Sequence, residues 1–308
     1  MASPNLSEII TTTLRNRSKS LADNVTNHNA LLRRLSENGN ITTVTGRQIV
    51  RELEYASNGT VGFYSGYETL DVSPSDVLTS ATYDYKQMAG NVTISGLEQI
   101  QNSGTEAVIN LLESRIGVLE KTMSNILSTS LYSDGTGTNG KEVGGLQLLV
   151  ADAGTGTVGG INSSTFTFFQ NVQTTATSSA FSTTNIQSDM NTIYLSLVRG
   201  ADSPDLIMAD TNAYKSFLGS LQAIQRVTSD RVATSGFTSV QYLNSDVIFD
   251  DACPANKMYF LNTDYLRLEV AANRNFVPGE SRMSVSQDAL VQPMFWSGNL
   301  TCSNRALQ

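Results

Sequence analysis

Residues 103–135 read SGTEAVINLLESRIGVLEKTMSNILSTSLYSDG. Val108, Leu112, Ile116, Leu119, Met123, Ile126 and Leu131 follow one another at steps of three, four or five, the spacing that lays one apolar stripe along a helix. Ser103 with Glu106 three places on has the form of a capping box, and Gly135 suits a left-handed stop, so both ends are predicted. Such a helix runs roughly 40 Å at its usual rise per residue. A stripe of that length has to be covered, and the search for its cover organises the rest of the chain.

The expected cover lies at the far end of the sequence. Leu266, Leu268 and Val270 alternate, as do Met283 and Val285, and Leu300 and Cys302 follow the apolar cluster Met294, Phe295, Trp296. These strands have no helix of their own, which predicts one domain from 103–135 and 264–308. Residues 136–263 then form an inserted α/β unit. Its helices carry Ile186, Met190, Ile193, Leu197 and Val198, then Tyr214, Phe217, Leu218, Leu221 and Ile224. Strands are expected at 146–150, 205–209, 239–249 and 257–262.

Upstream, residues 41–55 and 77–95 are rich in β-branched side chains and partly alternate. Between them lies a Gly-rich linker with Asn58, Phe63, Tyr64 and Tyr67. The reading is an extended hairpin over 41–95, too polar to bury both faces. Its tip residues Asn58, Phe63, Tyr64 and Tyr67 are expected to touch another subunit. Residues 1–40 form an arm that cannot bury enough surface to fold alone. Its basic residues Arg15, Arg17, Lys19, Arg33 and Arg34 face either an acidic neighbour or a polyanion.

Chemistry is scarce. The 308 residues include only 16% charged side chains and a net charge of -8, which excludes a protein that grips nucleic acid through a basic face. The only histidine, His28, lies among asparagines, so a histidine triad or metal cage is not expected. Cys253 and Cys302 are too few for a disulfide scaffold and read as idle thiols. Gly135, Gly140 and Lys141 match part of a phosphate-binding loop, but Glu142 stands where a Ser or Thr must hold magnesium, and the loop follows a helix instead of a strand. A nucleotide-binding enzyme is therefore a remote alternative, and no catalytic residue, cofactor or metal is expected. No membrane span or signal peptide is read either.

Several stretches, in order, carry a resemblance: NALLRRLSENGNITTVTGRQIVRELEY from Asn29, GFYSGYETLDVSPSDVLTSATYDYKQMAGNVTISGLEQIQNSG from Gly62, LLESRIGVLEKTMSNILSTSLYSDGTGTNGKEVGGLQLLV from Leu111, CPANKMYFLNTDYL from Cys253 and QDALVQPMFWSGNLTCSNRALQ from Gln287. The chain resembles major capsid proteins of tailed bacteriophages with the Hong Kong 97-like fold. The resemblance implies an α+β fold with an N-terminal arm (1–40), an E-loop hairpin (41–95), a peripheral domain with a spine helix (96–135 and 264–308) and an axial domain (136–263). It implies hexamers and pentamers of an icosahedral shell around double-stranded DNA, with non-specific DNA contact. It further implies assembly in the bacterial host cytoplasm with a separate scaffold, a portal and possible decoration proteins. An encapsulin-type compartment shell is the alternative on the same fold. The Lys-Asn cross-link of some members is not carried over to Lys86.

Overall fold

The computed structural model describes residues 29–101, 111–177, 180–222 and 240–308. Arg15, Arg17, Lys19, His28, Ser103, Glu106, Val108 and Ile224 lie outside these residues.

The long helix is present as α3, after α1 (Ala30–Glu37) and α2 (Gly96–Gln101), and is described over Leu111–Ser130. Leu111, Met123 and Leu127 are buried on it, as are Leu131 and Tyr132 just beyond, while Ile116 and Leu119 are half-buried against the same core. Leu112 is half-buried. The predicted stripe needs one correction, because Ile126 is exposed and Leu127 takes its place. Met123, Leu127 and Leu131 are each four residues apart and line up, whereas Ile126 lies about 100° round the helix from Leu127. Gly135 does adopt a left-handed conformation, but five residues after the helix has ended.

The cover of the helix is also different from the expected one. A six-stranded sheet is built around β14 (Ala289–Cys302). One edge pairs antiparallel with β4 (Lys86–Ser95) for ten residues, from Ala289 opposite Ser95 to Gly298 opposite Lys86. The other edge pairs in turn with β13 (Arg282–Met283), β12 (Val277–Pro278) and β11 (Leu266–Ala271), and β11 pairs parallel with β1 (Ile41–Val44). Helix α3 lies on β4. Met88, Gly90, Val92 and Ile94 turn toward it, while Gln87, Ala89, Asn91 and Thr93 are exposed on the opposite face. Contact is closest at Gly90, where a Cβ would collide with the Leu119 side chain and stand 3.4 Å from the Met123 sulfur.

The hairpin expected over 41–95 is consequently narrower. Only β2 (Ile49–Glu54) and β3 (Leu78–Tyr83) form it, paired from Ile49–Tyr83 to Glu54–Leu78. β1 and β4 belong to the sheet, where Ile41 and Val44 of β1 and the alternating apolar residues of β4 find cover.

In the α/β unit, β7 (Leu206–Ala209) pairs parallel with β9 (Ser245–Phe249), and the sheet order is β10 (Met258–Leu261), β7, β9, β8 (Val240–Tyr242). Helices α5 (Ile186–Leu197) and α6 (Thr211–Gln222) cover it, with Ile186, Met190, Phe217, Ile207, Val247 and Phe260 in one core. Asp210 caps α6 by accepting from Ala213 N at 2.8 Å. The segment 146–150, expected as a strand, contains a single helical turn, α4 (Leu146–Leu149), docked on the end of α3. Leu146 N donates to Leu131 O at 2.7 Å, and Gly145 passes so close to Leu131 and Ser130 that no Cβ fits.

Burial separates two adjacent residues of α3. Leu127→Ala is expected to cost about 2–5 kcal/mol of unfolding free energy, whereas Ile126→Ala should change it by less than about 0.5 kcal/mol. Urea unfolding of the two variants checks this, and equal losses would refute the assigned face.

Candidate assembly surface

The hairpin is anchored at its base and bare at its tip. Ile49 and Leu53 of β2, with Ala81 and Tyr83 of β3, are buried in the main core. Arg51 shares their parity and points to the same side, where its guanidinium forms an ion pair with Glu269 of β11 and lies 3.4 Å from Thr301 Oγ1. Tyr83 donates its hydroxyl to Cys302 O at 2.9 Å. From the α/β side, Thr82 N donates to Gly159 O at 2.9 Å, in the turn between β5 (Thr157–Val158) and β6 (Ile161–Asn162). Gly159 is left-handed and any Cβ there would strike Ala81, so this approach requires glycine.

Glu269 is buried. Burial pushes its carboxyl above the usual range, against the pull of Arg51 and Arg267. Two other buried ionisable groups stand at junctions. Asp250, fully buried at the end of β9, accepts from Leu31 N at the start of α1 (3.2 Å), from the Tyr132 hydroxyl beyond α3 (3.0 Å) and from Ala252 N (3.0 Å). Burial raises its carboxyl, with those donors acting against the rise. Arg305 is fully buried and donates to Leu149 O at 2.6 Å, Phe169 O at 3.0 Å and Asn171 Oδ1 at 2.9 Å, with the Phe169 ring 5.4 Å away. Burial lowers its proton affinity.

Beyond Tyr55 the hairpin changes character. Phe63 and Tyr67 are as exposed as in an extended chain, at 109% and 107%, and Val61, Tyr64, Leu70 and Val72 are also exposed. The loop is shaped by local hydrogen bonds. Asn58 Oδ1 accepts from Thr60 N and Oγ1 at 3.0 and 2.7 Å, and Asp71 does the same for Ser73 at 2.9 and 2.6 Å, which holds its carboxyl low. Residues 52–76 carry Glu52, Glu54, Glu68, Asp71 and Asp76 and no Lys or Arg.

Asn58, Phe63, Tyr64 and Tyr67 thus lie on one solvent-facing loop, whereas Ile116, Leu119 and Met123 are packing residues of α3 and Leu112 is half-buried. Arg51, Glu269 and Arg305 escaped the sequence reading. Arg51 alone left a trace there, as a charge on the buried parity of a strand. The Gly135–Lys141 loop folds on itself. Thr138, Asn139 and Gly140 are left-handed, Gly140 O accepts from Lys86 Nζ at 2.6 Å, and Glu142 accepts from the Thr138 hydroxyl at 2.9 Å. The Gly140 carbonyl is turned toward a lysine of the same chain. Cys253 and Cys302 are buried, and burial pushes the Cys302 thiol up to about 12. No cluster of three His, Cys, Asp or Glu side chains suited to a metal occurs among the described residues, nor any helix long and apolar enough to cross a membrane.

No family model and no curated protein matches the sequence. Solved structures do match in fold. The chain superposes on a chain of the Cyanophage A-1(L) capsid asymmetric unit with a TM-score of 0.72 at 17% identity, covering 95% of this chain and 94% of that one. The capsid of a native GTA particle gives 0.66 at 9% identity, covering 99% and 93%. A holo encapsulin complex from Synechococcus elongatus PCC 7942 gives 0.62 at 10% identity, covering 97% and 91%. The chain has the α+β fold of these shell proteins, the Hong Kong 97 type.

The anchor of the hairpin predicts a pH signature. In Arg51→Met, Glu269 remains buried without its cation, so its folded-state proton affinity rises further above the unfolded value. A raised carboxyl is tolerated while protonated, and its stability contribution is lost as pH climbs through the folded value. The variant should lose about 3 kcal/mol at pH 7.5 and much less at pH 4.5 relative to the parent chain, by urea unfolding. Equal losses at both pH values would remove the ion pair from this role.

Proposed function

We propose that the chain is the structural subunit of an icosahedral shell, the major capsid protein of a tailed bacteriophage enclosing double-stranded DNA. The observation that carries this reading is the combination of a shell-protein fold over nearly the whole chain with an apolar loop anchored at its base and uncovered at its tip. In this reading Phe63, Tyr64 and Tyr67, with Asn58 shaping the turn, lie on a neighbouring copy, and burial there removes their apolar surface from water. Strands β2 and β3 with the loop between them (49–83) act as the E-loop, β1 and β4 join 96–135 and 264–308 in the peripheral domain, 136–263 is the axial domain and the residues before β1 are the arm. Hexamers and pentamers assemble in the host cytoplasm with a scaffold and a portal, and decoration proteins are added where present. The net charge of -8 suits a wall that touches packaged DNA without gripping it.

A second reading, an encapsulin-type compartment shell, is favoured by the likeness to the encapsulin complex. Its shell geometry is the same in kind, and the contents differ. Cryo-microscopy of native particles separates the two, because a DNA-filled shell with a tail vertex excludes the compartment.

The triple variant Phe63→Ser, Tyr64→Ser, Tyr67→Ser tests the assembly step. These side chains make no core contact among the described residues, so the subunit should fold with a melting temperature close to that of the parent, yet fail to form closed particles in light scattering and electron microscopy. Normal shells from the triple variant would overturn the role of the loop.

A further inference from the structure

Three Asn–Gly steps occur in the sequence, at 38–39, 58–59 and 139–140. Glycine carries no side chain to keep its backbone nitrogen away from the asparagine before it, so each step sets a nucleophile beside an amide carbon. What holds the two groups decides whether they react.

Two of the steps are held. Asn38 Nδ2 donates to Thr263 Oγ1 at 3.2 Å, and Gly39 N donates to Ser36 O at 3.2 Å, just past the end of α1. Gly140 N donates to Thr136 O at 3.0 Å, and the carbonyl of the same glycine is fastened to Lys86. In both cases the nitrogen that would attack is committed as a donor, and the chain has to open locally first.

Asn58–Gly59 is arranged the other way. Both residues are exposed, on the loop beyond Tyr55. Gly59 N has no acceptor among the described residues, and a Cβ at Gly59 would meet nothing within 4 Å. Thr60 N and Oγ1 both donate to Asn58 Oδ1, at 3.0 and 2.7 Å, which draws electron density away from Cγ. Asn58 Nδ2 makes no hydrogen bond among the described residues. A polarised carbonyl carbon, an untethered leaving group and an uncommitted backbone nitrogen therefore stand on adjacent residues.

We propose that Asn58 is a site of spontaneous deamidation that marks subunits whose loop has stayed uncovered. Gly59 N loses its proton to solvent base and bonds to Asn58 Cγ, closing a succinimide ring; the Cγ–Nδ2 bond breaks, and the side-chain nitrogen takes a proton from water and leaves as ammonia. Water then adds to either ring carbonyl and opens the ring, which leaves an aspartyl or isoaspartyl residue and one new carboxylate. Residues 52–76 already carry Glu52, Glu54, Glu68, Asp71 and Asp76 with no Lys or Arg, so the product adds charge where none is compensated. The marking role rests on the reading that this loop seats on a neighbouring copy, a chain of net charge -8, where a further carboxylate is repelled.

Peptide mapping of the full chain by mass spectrometry, after storage of unassembled protein at mildly alkaline pH, tests the chemistry and needs no shell, so it fails separately from the shell reading. Conversion at Asn58 should run at least about tenfold faster than at Asn38 or Asn139. Gly59→Ala, whose added methyl meets open space in the fold but crowds the attack, should slow it at least about tenfold. Equal rates at the three steps, or an unchanged rate in Gly59→Ala, would overturn the site. Subunits aged to partial conversion and then assembled in one short step test the consequence. Closed particles should contain at least about twofold less converted residue than the subunits left over, and equal fractions in the two pools would overturn the marking role.

Discussion

The rest of the molecule hangs on strand β14 being paired along both edges. Its fourteen residues hold β4 on one side and β13, β12 and β11 in succession on the other. Through β4 it carries the long helix, through β11 it carries β1 and the ion pair at the foot of the hairpin, and three residues past its end Arg305 reaches into the α/β unit. A slip of one residue in this register would exchange every inward side chain of β14 and β4 for an outward one. Gly90 shows how tightly the register is set, because the helix approaches only where that strand presents no side chain.

Buried ionisable groups mark the joints between parts. Glu269 meets Arg51 between sheet and hairpin, Asp250 meets α1, Tyr132 and the α/β unit, and Arg305 gathers the carbonyls of Leu149 at the end of α4 and of Phe169. Each is costly to desolvate, so none is an economical way to gain stability. Their use is geometric. A carboxylate or guanidinium satisfied by groups from different elements fixes the relative placement of those elements, whereas an apolar contact tolerates sliding. Glu269 and Asp250, both raised by burial, show that the cost persists in the folded chain.

Local periodicity was legible and partner choice was not. The helix of 111–130, the α/β alternation and the exposed aromatic loop were visible because each is written in its own spacing or composition. Assignment of β4 to the hairpin failed because a strand with Met88, Gly90, Val92 and Ile94 on one side states that it needs cover without stating whose. The same ambiguity exchanged Ile126 for Leu127, since steps of three and four are equally helical until a neighbour selects one. The strand-like apolar run at 146–150 gave way to a helical turn because Gly145 lets the chain dock on Leu131, a contact with no local signature.

An apolar loop held out on a rigid base has a thermodynamic consequence for any partner. Full burial of a large apolar side chain is worth about 1.5–3 kcal/mol, so covering half the surface of six such residues yields roughly 4–9 kcal/mol. Association itself costs about 4–15 kcal/mol in lost freedom and ordering. One loop contact is therefore close to break-even, and it is weakened further at low salt by the uncompensated carboxylates of residues 52–76. Contacts that are marginal one at a time become stable only when closure engages many at once. In the proposed shell, a wrongly seated copy then leaves readily, and a correctly seated one is held by its neighbours.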